Sequence, residues 1–292
     1  MKQTIMKAAS PLLAQPIVSS LKRFYRSNRE ITPLGDARRV LVFAPHIDDE
    51  TIGVGGTIRK HVSNGAEVHI AVITDGKNSN SSSSQQQNLA NIRKDELYAI
   101  QDSLGFSSIT YLELPDGEVK NADSSAPLQQ VIEQLKPDMI YTPSLIDAHP
   151  DHVYSAHLLA DALEESAASG VTVREYEINC PVPPEEINCV IDITAEFPVK
   201  KRATEAFKSQ VIAFDGFLAL SSIKASLIKD PSIKYVETFI ESKSSEFIRA
   251  AKNLRMQDRN YQLHFKQANR TVTLRWAIFK NIKMKRAFYQ SR

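Results

Sequence analysis

Two short clusters combine residue types that can do metal chemistry: Pro45-His46-Ile47-Asp48-Asp49-Glu50 and Asp147-Ala148-His149-Pro150-Asp151-His152. Hydrolytic zinc sites use imidazole and carboxylate donors, three from the protein, with a fourth position kept for water. His46 with Asp48 or Asp49, plus His149 or His152, supplies enough donors for one such site. A bound ion brings the pKa of its water to about 7. A carboxylate outside the ligand set can then serve as general base, and a second histidine can face the developing oxyanion. Spacing alone leaves open which aspartate binds metal, and which of His149 and His152 does. Taken singly, the acids also read as a favourable first helical turn or a helix cap. Those readings do not explain why histidines accompany the acids in both clusters.

The elements around the clusters say where they would sit. Each follows an apolar run with the character of a buried strand, 39–44 and 139–141, and precedes a helical stretch. Strands are predicted at 39–44, 67–73, 109–113, 138–142 and 171–178, with helices at 50–64, 88–104, 127–135 and 152–166 between them. This alternation calls for an α/β fold, a Rossmann-like and mostly parallel sheet flanked by helices. The sheet is expected to continue through 188–193, followed by helices at 198–212 and 217–229. In such sheets ligands bind outside the carboxyl ends of the strands, where both clusters fall. Gly53-Val54-Gly55-Gly56 lies inside a helix and suits close packing against the sheet better than a nucleotide-binding turn. The polar segment 78–87 follows a strand and reads as a surface loop that can form a mobile rim over the site.

At 292 residues, with 42% hydrophobic and 24% charged residues, the chain has the composition of a globular protein with one large core. Two cysteines, Cys180 and Cys189, exclude a disulfide framework and a cysteine-rich zinc site. No apolar stretch is long enough to span a bilayer, and prolines 11 and 16 spoil a signal-peptide core. A cytoplasmic location is expected. The net charge of +2 conceals an asymmetry. Residues 1–29 hold six Lys/Arg and no acid, and residues 251–292 hold eleven against Asp258 alone, leaving the middle at −14. We therefore divide the chain into a basic N-terminal extension (1–35), a catalytic domain (36–250) and a basic C-terminal extension (251–292). In the first, Ile17, Leu21, Phe24 and Tyr25 share a helical face. In the last, Trp276, Phe279 and Phe288 intersperse with basic residues, a pattern that suits a packed helix or peripheral contact with a membrane surface. No motif accompanies the charge that would indicate nucleic acid.

The two clusters, in this order, resemble the signatures of the PIG-L/LmbE family of zinc-dependent N-acetylglucosaminyl de-N-acetylases. The first stands as Pro45-His46-Ile47-Asp48-Asp49-Glu50 with Gly55-Gly56, and the second is intact as His149-Pro150-Asp151-His152. Softer matches are Thr74-Asp75-Gly76, Arg93, Glu96, Leu114-Pro115-Asp116-Gly117, Asp192-Ile193-Thr194, Lys201, Ser209-Gln210 and Glu237. The resemblance covers about residues 38–240. It implies Zn2+, or another divalent ion such as Fe2+ or Co2+, on His46, Asp49 and His152. It further implies Asp48 as the base activating the metal-bound water, a protonated His149 as oxyanion stabiliser, and Asp151 orienting His149. Arg93 and Asp116 would contact substrate. The implied reaction removes the N-acetyl group from an N-acetylglucosamine-type conjugate, lipid-linked or not, releasing acetate and a free amine. A zinc amidohydrolase or esterase acting on a non-sugar substrate is the alternative enzyme, and a non-catalytic surface-binding protein the other. Ile47 replaces the usual proline without loss of a ligand atom. Asp147 stands where some relatives carry a tyrosine. His61, His69 and His157 read as structural or exposed, and Tyr141 and Tyr154 as packing residues.

Overall fold

A computed structural model describes residues 2–77, 83–122, 124–166, 170–210, 212–257 and 260–292. The chain runs α1 (Lys2–Tyr25), β1 (Arg39–Ala44), α2 (Asp49–Ser63), β2 (Glu67–Thr74), α3 (Ser83–Leu104), β3 (Ser108–Leu114), α4 (Ala126–Leu135), β4 (Met139–Pro143) and α5 (Pro150–Glu165). It continues through β5 (Thr172–Tyr176), β6 (Cys189–Asp192), α6 (Phe197–Ala206), α7 (Asp215–Lys224), β7 (Val236–Lys243) and α8 (Ser244–Arg255). Three short helices follow: α9 (Tyr261–His264), α10 (Leu274–Phe279) and α11 (Ile282–Gln290).

Seven strands form one sheet in the order β3-β2-β1-β4-β5-β7-β6. The first five pair in parallel, as the helices between them require. From β1 the chain winds outward to β3, then returns to lay β4 on the other side of β1. That reversal is a topological switch point, and both clusters emerge there, from the ends of β1 and β4.

The far edge differs from the expected pattern. β7 was not among the predicted strands, and it lies antiparallel between β5 and β6. Its apolar signal is interrupted by Glu237, which is buried rather than solvent-facing. Lys200 accompanies it: its Nζ donates to Glu237 Oε1 at 2.6 Å and to the Ile52 carbonyl at 2.7 Å. The Glu237 carboxylate also accepts from the backbone N–H groups of Gly56 (2.9 Å) and Thr57 (2.8 Å). The buried lysine is thus Lys200, whereas Lys201, one position round the helix, lies on the surface beside Glu205. Helix α2 lies so close to the sheet that a Cβ at Gly53 would fall 2.2 Å from the Tyr176 ring. Of the polar segment, 78–82 lie outside the described residues, and α3 starts at Ser83, ahead of the expected position 88. Helix α6 stops at Ala206, short of the expected 212.

Both basic ends rest on the core. Leu21 and Tyr25 of α1 are buried, and the Tyr25 hydroxyl donates to the Val182 carbonyl at 3.0 Å. Leu274, Ala277, Ile278, Phe288 and Tyr289 are buried near the other end, where the Lys285 ammonium donates to the carbonyls of Ala277 and Pro181. No helix among the described residues is long and apolar enough to cross a membrane.

His61 and Tyr141, read as structural, form a buried chain. Arg174 Nη1 donates to the Tyr141 hydroxyl (2.9 Å), which lies 2.9 Å from His61 Nε2 and can donate to it only if that nitrogen is unprotonated. Burial, with Arg174 nearby, pushes the His61 pKa down from 6.5 to about 3. The unfolded chain therefore binds the proton that the fold excludes. This contribution to stability is intact above pH 6.5 and is lost toward pH 3, at about 1.4 kcal/mol per pH unit. Urea unfolding of His61→Gln should thus depend less on pH than the wild type between pH 6.5 and 4.5. Parallel curves would remove His61 as an acid-labile element.

Candidate metal-binding active site

The Pro45–Asp48 turn is held where β1 ends. The Pro45 carbonyl accepts from both the backbone N–H (3.0 Å) and the hydroxyl (2.8 Å) of Thr74 on β2. Gln210, from the segment after α6, donates to the Ile47 carbonyl at 2.8 Å. Asp48 then takes φ 121°, ψ −26°, a region that L side chains rarely occupy. Such a conformation costs about 1–3 kcal/mol and persists only where the surroundings impose it. Here its N–H donates to Glu50 Oε2 (3.1 Å), and its carbonyl starts α2 by accepting from Thr51 and Ile52.

Asp49 Oδ2 is the centre of the cluster. It accepts from the His46 backbone N–H at 3.0 Å and lies 3.3 Å from His46 Nδ1 and 3.2 Å from His152 Nε2. His46, from β1, and His152, from α5 beyond β4, thus meet across one carboxylate. Each ring's other nitrogen faces a second acid. His46 Nε2 lies 3.2 Å from Asp151 Oδ2 and 3.4 Å from Asp116 Oδ1, while His152 Nδ1 lies 3.3 Å from Asp147 Oδ1. A carboxylate behind each imidazole fixes the ring and its tautomer, the usual arrangement behind metal-binding histidines.

Asp147 is the residue that sequence reading left without a role. Its Oδ1 accepts from the His149 N–H (2.7 Å) and Asn179 Nδ2 (3.2 Å), and its Oδ2 from the N–H groups of Asn179 (2.9 Å) and Cys180 (3.3 Å). It ties the second cluster to the loop after β5. Asp151 meets His149 through its backbone, the N–H donating to His149 Nδ1 at 3.3 Å. Its carboxylate goes instead to His46 and to the Gly117 N–H (2.8 Å). With Nδ1 accepting this N–H, a neutral His149 ring would carry its proton on Nε2. Arg93 Nη1 donates to the Gly76 carbonyl (2.8 Å) and lies 4.0 Å from Asp116 Oδ2. Beside Gly117 and Pro150 opens a cavity of about 500 Å³, also lined by Tyr154, Arg255, Tyr261 and Gln262.

The electrostatics are those of a site short of positive charge. Burial raises Asp48 well above the carboxylate range, with Asp49 and Glu50 adding to it. Burial also lifts Glu50 to about 7. Burial disfavours the charged form of His152, but Asp49 and Asp147 outweigh it and hold the ring at about 10. Burial likewise opposes charge on His46, which Asp116, Asp151 and Asp49 overcome, raising it well above 6.5. His149 moves the other way, to about 4, through burial and its neighbours His152 and His46. The chemistry of these donors suits a divalent cation. Asp49 Oδ2 lies 3.3 Å from His46 Nδ1 and 3.2 Å from His152 Nε2, close to the roughly 3.3 Å between ligand atoms that bonds of about 2.0–2.1 Å to a tetrahedral ion require. His46, His149 and His152 each bring a ring nitrogen within 4.8 Å of the others, and His46 does the same with carboxylate oxygens of Asp116 and Asp151.

Residues 41–163 match the family described as "PIG-L: GlcNAc-PI de-N-acetylase". Among curated relatives, a diacetylchitobiose deacetylase of Thermococcus kodakarensis is 27% identical over 194 residues, 61% of this chain and 72% of that one. A 1D-myo-inositol 2-acetamido-2-deoxy-alpha-D-glucopyranoside deacetylase of Mycolicibacterium vanbaalenii is 25% identical, covering 69% of this chain and 91% of that one. Among solved structures, the N,N'-diacetylchitobiose deacetylase of Pyrococcus horikoshii superimposes with a TM-score of 0.63 at 25% identity, over 74% of this chain and 87% of that one.

The Asp48 backbone gives a test that needs no substrate. Asp48→Gly should be more stable to urea than Asp48→Ala by about 1–2 kcal/mol, since both lose the carboxylate but only glycine relieves the positive φ. Equal stabilities would show that the turn is not strained.

Proposed function

We propose that the chain, whose residues 41–163 match the PIG-L family, hydrolyses the N-acetyl group of an N-acetylglucosamine-type conjugate, releasing acetate and a free amine. The observation that carries the reading is the Asp49 carboxylate shared by His46 and His152, with the buried acid Asp48 directly beside it. His46, Asp49 and His152 would hold the divalent ion, zinc or another such as Fe2+ or Co2+. Bound there, the ion supplies Lewis acidity toward the amide carbonyl and makes water more acidic.

The chain's own groups account for the proton movements. Asp48, held by its backbone at the start of α2, takes the proton of the attacking water. Its neighbours Asp49 and Glu50 disfavour its charge, so its affinity for that proton is high. His149 presents Nε2–H, because Asp151 N–H occupies Nδ1, and that N–H donates to the oxyanion as the carbonyl becomes tetrahedral. A neutral imidazole serves as an electrophile in other enzymes as well. The proton gathered by Asp48 then passes to the departing nitrogen as the C–N bond breaks. Asp147 and Asp151 hold the rings of His152 and His46 in place, and Arg93 and Asp116 line the approach as substrate contacts. A lipid-linked conjugate belongs to the same proposal, and contact with a membrane surface through the basic ends is a separate one that does not depend on the reaction. The two buried free thiols support a cytoplasmic location.

Acetate and amine release from N-acetylglucosamine conjugates tests the reading, with simple N-acyl amides and esters as controls. Asp48→Asn should lower turnover by about 10²–10⁴-fold, the usual scale for a general base, while retaining bound metal. A chelator should abolish release, and added zinc or cobalt should restore it. Release from the simple amides or esters alone would indicate an amidohydrolase or esterase. Unchanged turnover in Asp48→Asn would remove it as the base.

A further inference from the structure

The two basic ends, at opposite ends of the sequence, meet on one surface. The Phe24 ring of α1 packs edge-on against Phe279 of α10, with centroids 4.8 Å apart. Lys266 and Lys280 place their ammonium groups 5.7 and 5.9 Å from the Trp276 ring, and the Arg275 guanidinium lies 5.9 Å from that of Phe279. Asn281 Nδ2 donates to the His264 carbonyl at 2.8 Å, joining the start of α11 to the end of α9. Lys22, Arg23, Arg275 and Lys283 are exposed around this surface. Neither residues 1–29 nor 260–292 contain an aspartate or glutamate.

The apolar groups here are turned outward. Trp276 is 56% exposed and Leu263 72%, with Phe279 and Met284 also exposed. Burial of Leu274, Ala277, Ile278 and Phe288 beneath them fixes the segment to the core, so their exposure is not that of a loose tail. Exposed Trp, Leu and Met within a mostly basic surround, where Glu185 pairs with Arg286, match an element that lies at the headgroup boundary of an anionic bilayer. Nucleic acid would use the same charge with stacking rings, but the aliphatic Leu263 and Met284 have no base to stack on and suit acyl chains.

We propose that this joined surface of α1, α9, α10 and α11 docks the protein on an anionic lipid membrane. The docked face also bears on the active site. Met256, 79% exposed, follows Arg255 and Leu263 follows Gln262, two residues that with Tyr261 line one wall of the 500 Å³ cavity. On its other side are Gly117, whose N–H holds Asp151, and Pro150. Docking brings the rim of that cavity to the lipid surface, where a conjugate anchored in the membrane would reach it. That last step rests on the deacetylase reading. The docking itself does not.

The test is co-sedimentation of the full chain with phosphatidylcholine vesicles, with and without phosphatidylserine, at low and high salt. Binding should require phosphatidylserine and weaken as salt rises. Leu263→Ser/Trp276→Ser and Lys280→Glu/Lys283→Glu should each bind about tenfold more weakly, with acetate release from a water-soluble conjugate at the wild-type level. No binding by the wild type, or binding by both variants at the wild-type level, would overturn the proposal. Tighter binding to single-stranded DNA than to vesicles would overturn it too, as would a dimer that Leu263→Ser/Trp276→Ser dissolves. Vesicle binding is read without turnover, so a chain that sediments but releases no acetate would contradict the proposed reaction and leave the docking surface standing.

Discussion

One carboxylate between two histidines organises this molecule. Asp49 Oδ2 meets His46 at the end of β1 and His152 on the helix that follows β4. It can do so because the sheet reverses its winding between those two strands, so that both loops open into the same crevice. Around this contact gather the buried or half-buried acids Asp48, Glu50, Asp116, Asp147 and Asp151. Three histidines cannot neutralise that many carboxylates, and the raised affinities of His46, His152 and Asp48 for protons express the deficit. A bound cation removes the deficit at its source. The acids that crowd this crevice are the ones to which the proposed reaction assigns binding the ion, holding its ligands or moving a proton.

Several features of the fold position α2, the helix that carries Asp49 and Glu50. Gly53 lets the helix meet Tyr176 without a gap, and Lys200 and Glu237 reach its backbone at Ile52, Gly56 and Thr57. A buried ion pair is weak evidence of stability, because desolvation offsets much of its attraction. What this pair adds is placement. It joins the backbone of α2 to α6 and β7, beside the bond from Lys60 to the Asp192 carbonyl. A helix held in this way keeps the strained Asp48 turn from relaxing into an ordinary first turn.

The catalytic clusters were legible because each is contiguous in sequence and falls where an apolar run ends. His46, Asp48, Asp49, His149 and His152 needed only their spacing and the β/α alternation to be placed on one side of the sheet. What remained hidden depends on partners far along the chain. Asp147 looked like a missing tyrosine until Asn179 and Cys180, some thirty residues on, were seen to donate to it. The sequence does not show that the Asp151 carboxylate turns to His46, more than a hundred residues away, while its backbone N–H faces His149. β7 was obscured by Glu237, a charge whose burial is intelligible only with Lys200 beside it. The start of α3 was set late because serines and glutamines carry almost no apolar periodicity.

The meeting of the ends shows the same limit at a larger scale. Composition alone said that both termini are basic, and like charges separate unless something holds them together. The structure supplies that hold in apolar contacts: Leu21 and Tyr25 on one side, Leu274, Ile278 and Phe288 on the other, with Phe24 and Phe279 joining the two. Packing thus brings together cations whose mutual repulsion disfavours the arrangement, and it leaves Trp276 and Leu263 in water. A protein selected for stability alone would bury or replace such groups. Part of that repulsion is offset by acids of the core, as where Arg286 meets Glu185, and the proposed anionic membrane would offset the rest while covering the exposed rings and aliphatic side chains.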